Sequence, residues 1–223
     1  MNDSEKYGAA EEYTKSKMIP QVALDIETIP NPDALNLLPE PPIDSRLKDP
    51  IKIEAAKEGA RRRQIDKMAL SPLTGKVACI GFYGAVNDIK FGEEADILDF
   101  AYKVISENQA VTYNGKGFDI PFIFKRGIIL GLEWATIPNM KKHNSRYSEA
   151  HIDVMLEFCN YGEFEKLDNL GRFILGEGKV DFDFRNIPEL LKTEQGREEI
   201  GEYCLRDCKL TWDLAQRMGL VRK

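Results

Sequence analysis

The sequence predicts a single α/β domain in which a mixed sheet is flanked by helices. Two apolar runs of strand length, rich in β-branched residues, stand at residues 22–26 and 76–83. A later run at residues 110–113 leads through a glycine turn into helical spacing, and the last third of the chain carries helical patterns. This order of elements, with strands first, then a strand–helix unit and then helices, favours a mixed sheet covered by helices.

Each element is predicted from its own spacing of apolar residues. Short apolar or alternating runs indicate strands, whereas apolar residues three and four positions apart indicate helices. We expect strands at residues 22–26, 76–83, 88–91 and 110–113, and helices at residues 94–106, 118–130, 151–158, 166–175 and 198–218.

The length of the chain suits one domain, because 223 residues, 43% of them hydrophobic, suffice for a full core. We expect residues 1–17, which are polar and charged, to form a flexible tail, and residues 18–223 to form the domain. Residues 30–73 are expected to be a mobile insertion with a proline-rich loop and a charged helix at residues 50–68. No run approaches the roughly 18 to 20 apolar residues of a membrane helix, so we expect a cytoplasmic protein without membrane contact.

Charge and cysteine content exclude some classes of protein. The net charge of −6 argues against a nonspecific nucleic-acid coat protein, but not against a nuclease whose metal ions offset a cluster of acids. Four cysteines and two histidines show no spacing typical of zinc ligands, so we expect no zinc chemistry and reduced thiols. The cysteines are Cys79, Cys159, Cys204 and Cys208.

The first candidate motif places two acids in an apolar strand. The period of two puts Asp25 and Glu27 on one face, and Leu24 and Ile26 on the other. Neighbouring buried carboxylates do not both ionise unless a cation joins them, which indicates a divalent-metal site. An edge strand with solvated acids is the commoner explanation of an isolated pair of this kind.

The second candidate motif follows the strand at residues 110–113. Asn114, two glycines and Phe118 lead to Asp119 in the first turn of a helix. Asp119 is predicted to point back towards the strand ends, although a plain helix cap explains an aspartate there equally well. The glycines favour a close approach of the main chain to phosphate.

The third candidate motif lies in the C-terminal helix. Tyr203 and Asp207 stand one helical turn apart on the same face, and Leu210 and Leu214 continue an apolar stripe. Taken alone, such a pair is more often an ordinary surface pair.

Together, in this order, the three motifs resemble the tyrosine form of the DEDD superfamily of 3′-5′ exonucleases. The chain looks most similar to predicted stand-alone exonucleases related to the proofreading domain of family-B DNA polymerases, from about residue 20 to residue 218. Residues 73–77 and 151–153 also resemble that group, and Asp153 is interpreted either as a second acid near the site or as a helix cap. The resemblance implies a ribonuclease H-like fold with a mixed five-stranded sheet flanked by helices.

The resemblance also implies the cofactors and the roles of individual residues. Two divalent ions, Mg²⁺ or Mn²⁺, are expected on Asp25, Glu27, Asp119 and Asp207, and Tyr203 is expected to orient the attacking water. These five residues form the expected catalytic set. Nucleic acid is expected to contact Thr28, Ile29, Asn114 and Phe118, with Thr28 and Ile29 at the terminal sugar and base.

The expected substrate is the 3′ end of single-stranded nucleic acid, with DNA favoured over RNA. A replication or repair protein acting in trans is an open possibility for a partner. The sequence leaves open a catalytically silent binding module of the same fold, an RNA 3′-end trimming exonuclease, an endonuclease and a non-enzymatic adaptor. The basic run Arg61, Arg62, Arg63 with Lys67 could steer phosphates, although such a run is usually a solvated helix face.

Overall fold

The computed structural model describes residues 19–145, 148–160 and 162–222, and the tail predicted at residues 1–17 lies outside them. The described residues form a five-stranded sheet in the order β3-β2-β1-β4-β5. The first three strands of this order are antiparallel, whereas β4 runs parallel to β1 and β5 parallel to β4. The strands are β1 (Gln21–Pro30), β2 (Gly75–Gly84), β3 (Asp88–Phe91), β4 (Gln109–Thr112) and β5 (His151–Asp153).

Strand β1 lies at the centre of the sheet and is covered on both faces. Leu24 and Ile26 pack into one apolar layer, whereas Ala23 packs into the other. Because side chains alternate along a strand, Asp25 and Glu27 share the face of Ala23. The pairing with β2 shifts register immediately after Glu27. Such a shift bends a strand locally and ends its regular ladder.

The helices lie around this sheet, and several are short. In the described part of the chain the α-helices are α1 (Pro50–Asp66), α2 (Glu94–Glu107), α3 (Asp119–Leu130), α4 (Ile137–Asn144), α5 (Val154–Phe158), α6 (Leu167–Leu170), α7 (Ile187–Leu190) and α8 (Glu194–Arg217). Single turns of 3₁₀ helix occur at Met68–Leu70 and Phe184–Asn186, a longer one at Pro32–Leu37, and α6 continues as a π-helical turn at Gly171–Leu175.

The two faces of the sheet are covered by different helices. Helices α2 and α3 bury their apolar sides against the face that carries Leu24 and Ile26. Helix α8 crosses the other face, where it buries Ile200 and Leu214 against the sheet. Burial of an aliphatic side chain of this size contributes about 1.5–3 kcal/mol, so packing on α8 fixes this helix across β1.

Three predicted elements differ from the structure. Strand β1 runs to Pro30 and not only to residue 26, because its pairing with β2 continues past the predicted end. Residues 151–153 form β5 and not the first turn of a helix, because His151 and Asp153 pair with β4 and the helix begins only at Val154. A three-residue strand is too short to show a period in sequence. Helix α8 begins at Glu194, earlier than predicted, because the side chain of Thr193 accepts a hydrogen bond from Gly196 N–H and caps the helix.

The segment between β1 and β2 carries the predicted charged helix, α1. It begins at Pro50, directly after Asp49, whose side chain accepts a 2.9 Å hydrogen bond from the Ile51 amide. None of the residues of α1 is buried. The mobility of this segment stays a prediction. None of the helices in the described ranges combines the length and apolar character needed to cross a bilayer.

Candidate active site

Two carboxylates and a thiol meet on the face of β1 that α8 covers. One ligand atom each of Asp25, Glu27 and Cys204 lies within 4.8 Å of the other two. The acids reach this face through the alternation of the strand, and Cys204 reaches it from α8. Its Sγ lies 3.5 Å from the main-chain oxygen of Asp25. The structure therefore brings the two predicted acids together and adds a thiol to them.

Asp207 lies one helical turn after Tyr203 on α8 and is 3% exposed. Its carboxylate forms an ion pair with Lys179, whose Nζ also lies 5.2 Å from the centre of the Tyr203 ring. Burial alone would lower the pKa of Lys179, but Asp207 and Tyr203 raise it above its ordinary value. Lys179 is therefore a fixed positive charge at neutral pH.

Asp119 reaches the same site from the N-terminus of α3. Its Oδ1 accepts a 3.3 Å hydrogen bond from the Ile26 amide, which places it beside β1. Burial raises the pKa of Asp119 to about 7, although the main-chain hydrogen bonds that it accepts oppose this shift. The charge of Asp119 in turn raises the pKa of Asp25, so the two acids act on each other.

The acids of the site are held in surroundings that disfavour their charge. Burial raises the pKa of Asp25 and of Glu27 well above the ordinary range, and the neighbouring acids raise it further. Burial also raises the pKa of Asp207, against the opposing effect of Lys179. A cluster of this kind is stabilised by bound cations, because oxygen ligands of this charge suit hard divalent ions. The residues present therefore fit a divalent-metal centre.

Tyr203 is enclosed by two aromatic rings from the loop before α7. The Tyr203 ring stacks on Phe182 with centroids 4.5 Å apart, and Phe184 meets it edge-on at 5.6 Å. Burial raises the pKa of the Tyr203 phenol, and the charge of Asp207 adds to this shift while Lys179 opposes it. Tyr203 therefore keeps its proton at neutral pH and can donate a hydrogen bond.

The turn after β4 is held by Asp153. Its carboxylate accepts 2.9 Å hydrogen bonds from the amides of Asn114 and Lys116, and a 3.4 Å bond from Leu156 N–H at the start of α5. Asp153 is thus a helix-capping residue that also fixes the turn. Asn114 has a φ of 61° there, a conformation that asparagine tolerates better than most residues.

The two glycines of this turn are explained by packing within the turn. A Cβ at Gly115 would lie 2.2 Å from Oγ1 of Thr112, and one at Gly117 would lie 2.6 Å from Oδ1 of Asn114. The interpretation that these glycines admit phosphate is therefore not needed to account for them. It stays a prediction.

Three residues expected to contact nucleic acid have other partners in the structure. The hydroxyl of Thr28 donates a 2.8 Å hydrogen bond to the Ala69 carbonyl oxygen. Ile29 is buried in the core cluster around Ile187, so its expected role as a wedge at the last base is not supported. Phe118 is half-buried and packs against Phe122 at 5.4 Å, which leaves part of its ring accessible.

Sequence reasoning missed Lys179, Cys204, Phe182 and Phe184. Lys179 and Phe182 lie in an irregular loop and Phe184 begins a single 3₁₀ turn, so no period relates them to the acids. Cys204 stands next to Tyr203 in the third motif, but its contact with Asp25 crosses 179 positions of sequence. Only the packing of α8 on β1 reveals that contact.

The strand order, with acids on the central strand and on a helix packed across it, defines a ribonuclease H-like α/β protein with a carboxylate centre. A solved family B DNA polymerase from Pyrobaculum calidifontis shares this fold. Its TM-score is 0.58 at 16% sequence identity, and the match covers 91% of this chain and 25% of the polymerase. The predicted fold class is confirmed.

The family follows from the sequence match. The chain belongs to the family described as predicted 3′-5′ exonucleases related to the exonuclease domain of PolB, whose model matches residues 76–223. This range contains Asn114, Phe118, Asp119, Tyr203 and Asp207, but not the first motif on β1. The predicted relationship and the assignment to this enzyme family are confirmed.

Curated relatives agree with this family. The chain is 26% identical over 139 residues to a DNA polymerase of Pyrococcus glycovorans, a match that covers 55% of this chain and 18% of the polymerase. It is 27% identical over 143 residues to DNA polymerase 1 of Aeropyrum pernix, covering 59% of this chain and 14% of that protein. It is 29% identical over 140 residues to DNA polymerase 1 of Saccharolobus solfataricus, covering 56% of this chain and 15% of that protein. The chain thus spans less than a fifth of the length of these relatives.

Proposed function

We propose that the chain is a metal-dependent 3′-5′ exonuclease that removes nucleotides from the 3′ end of single-stranded nucleic acid. The observation that carries this proposal is the meeting of Asp25 and Glu27 on β1. Asp119 is hydrogen-bonded to the same strand, and Asp207 is near enough to raise the pKa of both strand acids. Membership of a family of predicted 3′-5′ exonucleases gives the direction of cleavage. We propose DNA over RNA because the curated relatives are named DNA polymerases.

The carboxylates define where divalent ions would be held. Asp25, Glu27 and Asp207 would supply oxygen ligands to Mg²⁺ or Mn²⁺, with Asp119 beside them. A pair of such ions, when bound, lowers the pKa of a water molecule and stabilises charge on both the attacking and the leaving oxygen. The chain holds the acids ready for this role, because burial and mutual repulsion make them unstable as free carboxylates.

Tyr203 and Lys179 would act on the groups that react. The Tyr203 phenol keeps its proton, so it orients the attacking water through a hydrogen bond and does not act as a base. Lys179 keeps its charge, so it holds Asp207 in place and offers a positive charge to the phosphate. Phe182 limits the motion of the Tyr203 ring by stacking on it.

The end of the strand would lie between the turn after β4 and the end of β1. Asn114 closes that turn and Phe118 presents a partly accessible ring, which suits stacking without sequence preference. Thr28 is held at the opposite side by its bond to the Ala69 carbonyl. We propose a replication or repair protein as the partner that presents the 3′ end, because the curated relatives are named DNA polymerases.

The test is digestion of single-stranded DNA and RNA labelled at the 5′ end, with Mg²⁺ or Mn²⁺. We expect a ladder that shortens from the 3′ end, faster on DNA, and absent without metal or in Asp25→Ala. Products from internal cuts would indicate an endonuclease. Binding of the strand without products under any metal would instead support the catalytically silent module.

A further inference from the structure

Cys204 places a sulfur atom at the acidic centre. The residue is 0% exposed and lies on α8 directly across from β1. Its Sγ lies 3.5 Å from the main-chain oxygen and 4.0 Å from Oδ2 of Asp25, so the thiol faces the carboxylate and not the apolar core alone. A thiol donates only weakly, so these contacts hold it without satisfying the acid.

Glu27 is the second observation that points to a ligand. Its side chain is 5% exposed, and within the described ranges its carboxylate has no hydrogen bond or ion pair to any residue. A carboxylate with so little contact with solvent and no direct partner is disfavoured in its charged form. One of its oxygens nevertheless lies within 4.8 Å of the ligand atoms of both Asp25 and Cys204. A carboxylate that has no direct partner and lies beside a thiol and a second acid leaves room for a cation among the three groups.

We propose that Asp25, Glu27 and Cys204 form a mixed oxygen–sulfur site that takes one thiophilic divalent cation of the Zn²⁺, Cd²⁺ or Co²⁺ type. Sulfur ligands select such ions over Mg²⁺, which takes oxygen ligands. On binding, the S–H bond of Cys204 is broken, the sulfur keeps the electron pair and donates it to the cation, and the proton passes to the buffer. The three ligand atoms need to approach one another by about 1 Å to reach ordinary metal-ligand distances.

This site shares Asp25 and Glu27 with the proposed exonuclease centre, but it does not depend on cleavage of any strand. A thiophilic ion and the hard ions therefore compete for the same two carboxylates. The chain would bind Zn²⁺ or Cd²⁺ more tightly than Mg²⁺, and Mn²⁺ in excess would weaken the apparent binding of the thiophilic ion.

Titration with Co²⁺, in the absence of nucleic acid, tests the proposal directly. A Co²⁺–thiolate bond produces a near-ultraviolet charge-transfer band that carboxylates alone do not produce. The titration is made in a Cys159→Ser background, because Cys159 is the one partly accessible thiol among the four cysteines. We expect the band to appear at one equivalent of Co²⁺, with release of one proton, and Cd²⁺ to displace the Co²⁺.

The matched variants identify the sulfur. Cys204→Ser should remove the band and weaken Cd²⁺ binding roughly tenfold or more. Cys208→Ser, one turn later on α8 and equally buried, should keep the band; because the Cys208 thiol contacts that of Cys204, its Cd²⁺ affinity is compared only for the presence of binding. Glu27→Gln serves as a second variant should Cys204→Ser fail to fold, and it should also weaken Cd²⁺ binding. Unfolding curves of the metal-free variants show which of them are folded.

Two results would overturn the proposal. One is the absence of a charge-transfer band in the folded parent, and the other is a band that persists in folded Cys204→Ser. Either result leaves the exonuclease proposal intact if Mg²⁺-dependent cleavage is found. Conversely, a Cys204-dependent band in a chain that cleaves no strand would support the proposed sulfur site and contradict the proposed exonuclease activity.

Discussion

At the scale of single residues, Asp25 is the acid whose surroundings oppose its charge most broadly. Burial, Cys204, Asp119, Glu27 and Asp207 all raise its pKa. A carboxylate in these surroundings lowers the free energy of unfolding, and a neutral side chain would be more stable there. We therefore expect Asp25 to bind a cation.

We therefore predict opposite effects of Asp25→Asn on activity and on stability. Metal-dependent cleavage should fall by on the order of a thousandfold, whereas the metal-free variant should be as stable as the parent or more stable, because a half-buried carboxylate surrounded by other acids has been neutralised. Chemical denaturation of both proteins in chelator, beside the cleavage assay, measures the two effects. A metal-free variant that unfolds more readily than the parent would show that Asp25 is needed for the fold.

Tyr203 provides a second prediction at this scale. Tyr203→Phe keeps the ring that stacks on Phe182 but removes the phenol oxygen. Cleavage should slow by on the order of a hundredfold, while Mn²⁺ affinity should stay within about twofold, because the carboxylates and not the phenol hold the ions. Calorimetric titration measures the Mn²⁺ affinity, and single-turnover kinetics measure the rate of cleavage. A large loss of affinity would make Tyr203 a structural residue.

At the scale of elements, the turn after β4 depends on the absence of a side chain at Gly115. A Cβ there would lie 2.2 Å from Oγ1 of Thr112, a residue that is itself fully buried. Gly115→Ala should lower the free energy of unfolding by about 2–4 kcal/mol. The control is Gly59→Ala on α1, where the nearest atom is 3.5 Å away and helix propensity should add a few tenths of a kcal/mol or more. Equal stabilities of the two variants would contradict this account of the turn.

The pairing of β4 with β5 is sensitive to acid through His151. Its Nδ1 donates to the His143 carbonyl at 3.0 Å, and its Nε2 accepts from the Thr112 hydroxyl at 2.7 Å, so both nitrogens are used by the neutral ring. Burial lowers the pKa of His151 from 6.5 to about 3. Between these values the unfolded chain binds a proton that the folded chain does not.

The stability due to neutral His151 is therefore present above pH 6.5 and is lost as pH falls towards 3. We predict that this residue contributes on the order of a few kcal/mol to the acid sensitivity of the fold. The measurement is chemical denaturation of the parent and of His151→Gln at pH 7 and pH 5. The parent should lose more stability than the variant over this interval, and a smaller loss in the parent would reverse the sign of the effect.

At the scale of the whole molecule, the acidic centre joins β1, α3 and α8, which come from distant parts of the chain. A ligand that bridges their acids stabilises the folded state as a whole. We predict that Mn²⁺ at about a hundred times its Kd raises the free energy of unfolding by about 2.7 kcal/mol and raises Tm accordingly. Thermal unfolding with and without Mn²⁺ checks this, and Glu27→Gln should show a much smaller shift. An equal shift in that variant would place the ion elsewhere.

The fold class could be predicted from the sequence, because the main strands and helices show clear periods in the spacing of their apolar residues. Local rules place helix α3 to within one residue and find β1 from its apolar run, although they miss its last four residues. Strand β5 could not be predicted, because three residues show no period and only their pairing with β4 makes them a strand. The start of α8 was placed too late, since its first turn is polar and its cap at Thr193 was overlooked.

The candidate acids and their order along the chain could be predicted from local patterns alone. Asp25 and Glu27 share a face because a strand alternates, and Tyr203 and Asp207 share a face because a helix turns, so local geometry was enough for each pair. Local patterns did not predict that Cys204 faces Asp25, that Lys179 pairs with Asp207 or that Ile29 is buried in the core. The physical reason is that these contacts join residues far apart in the chain or in irregular loops, where packing of α8 on the sheet, and no local period, sets which side chains meet.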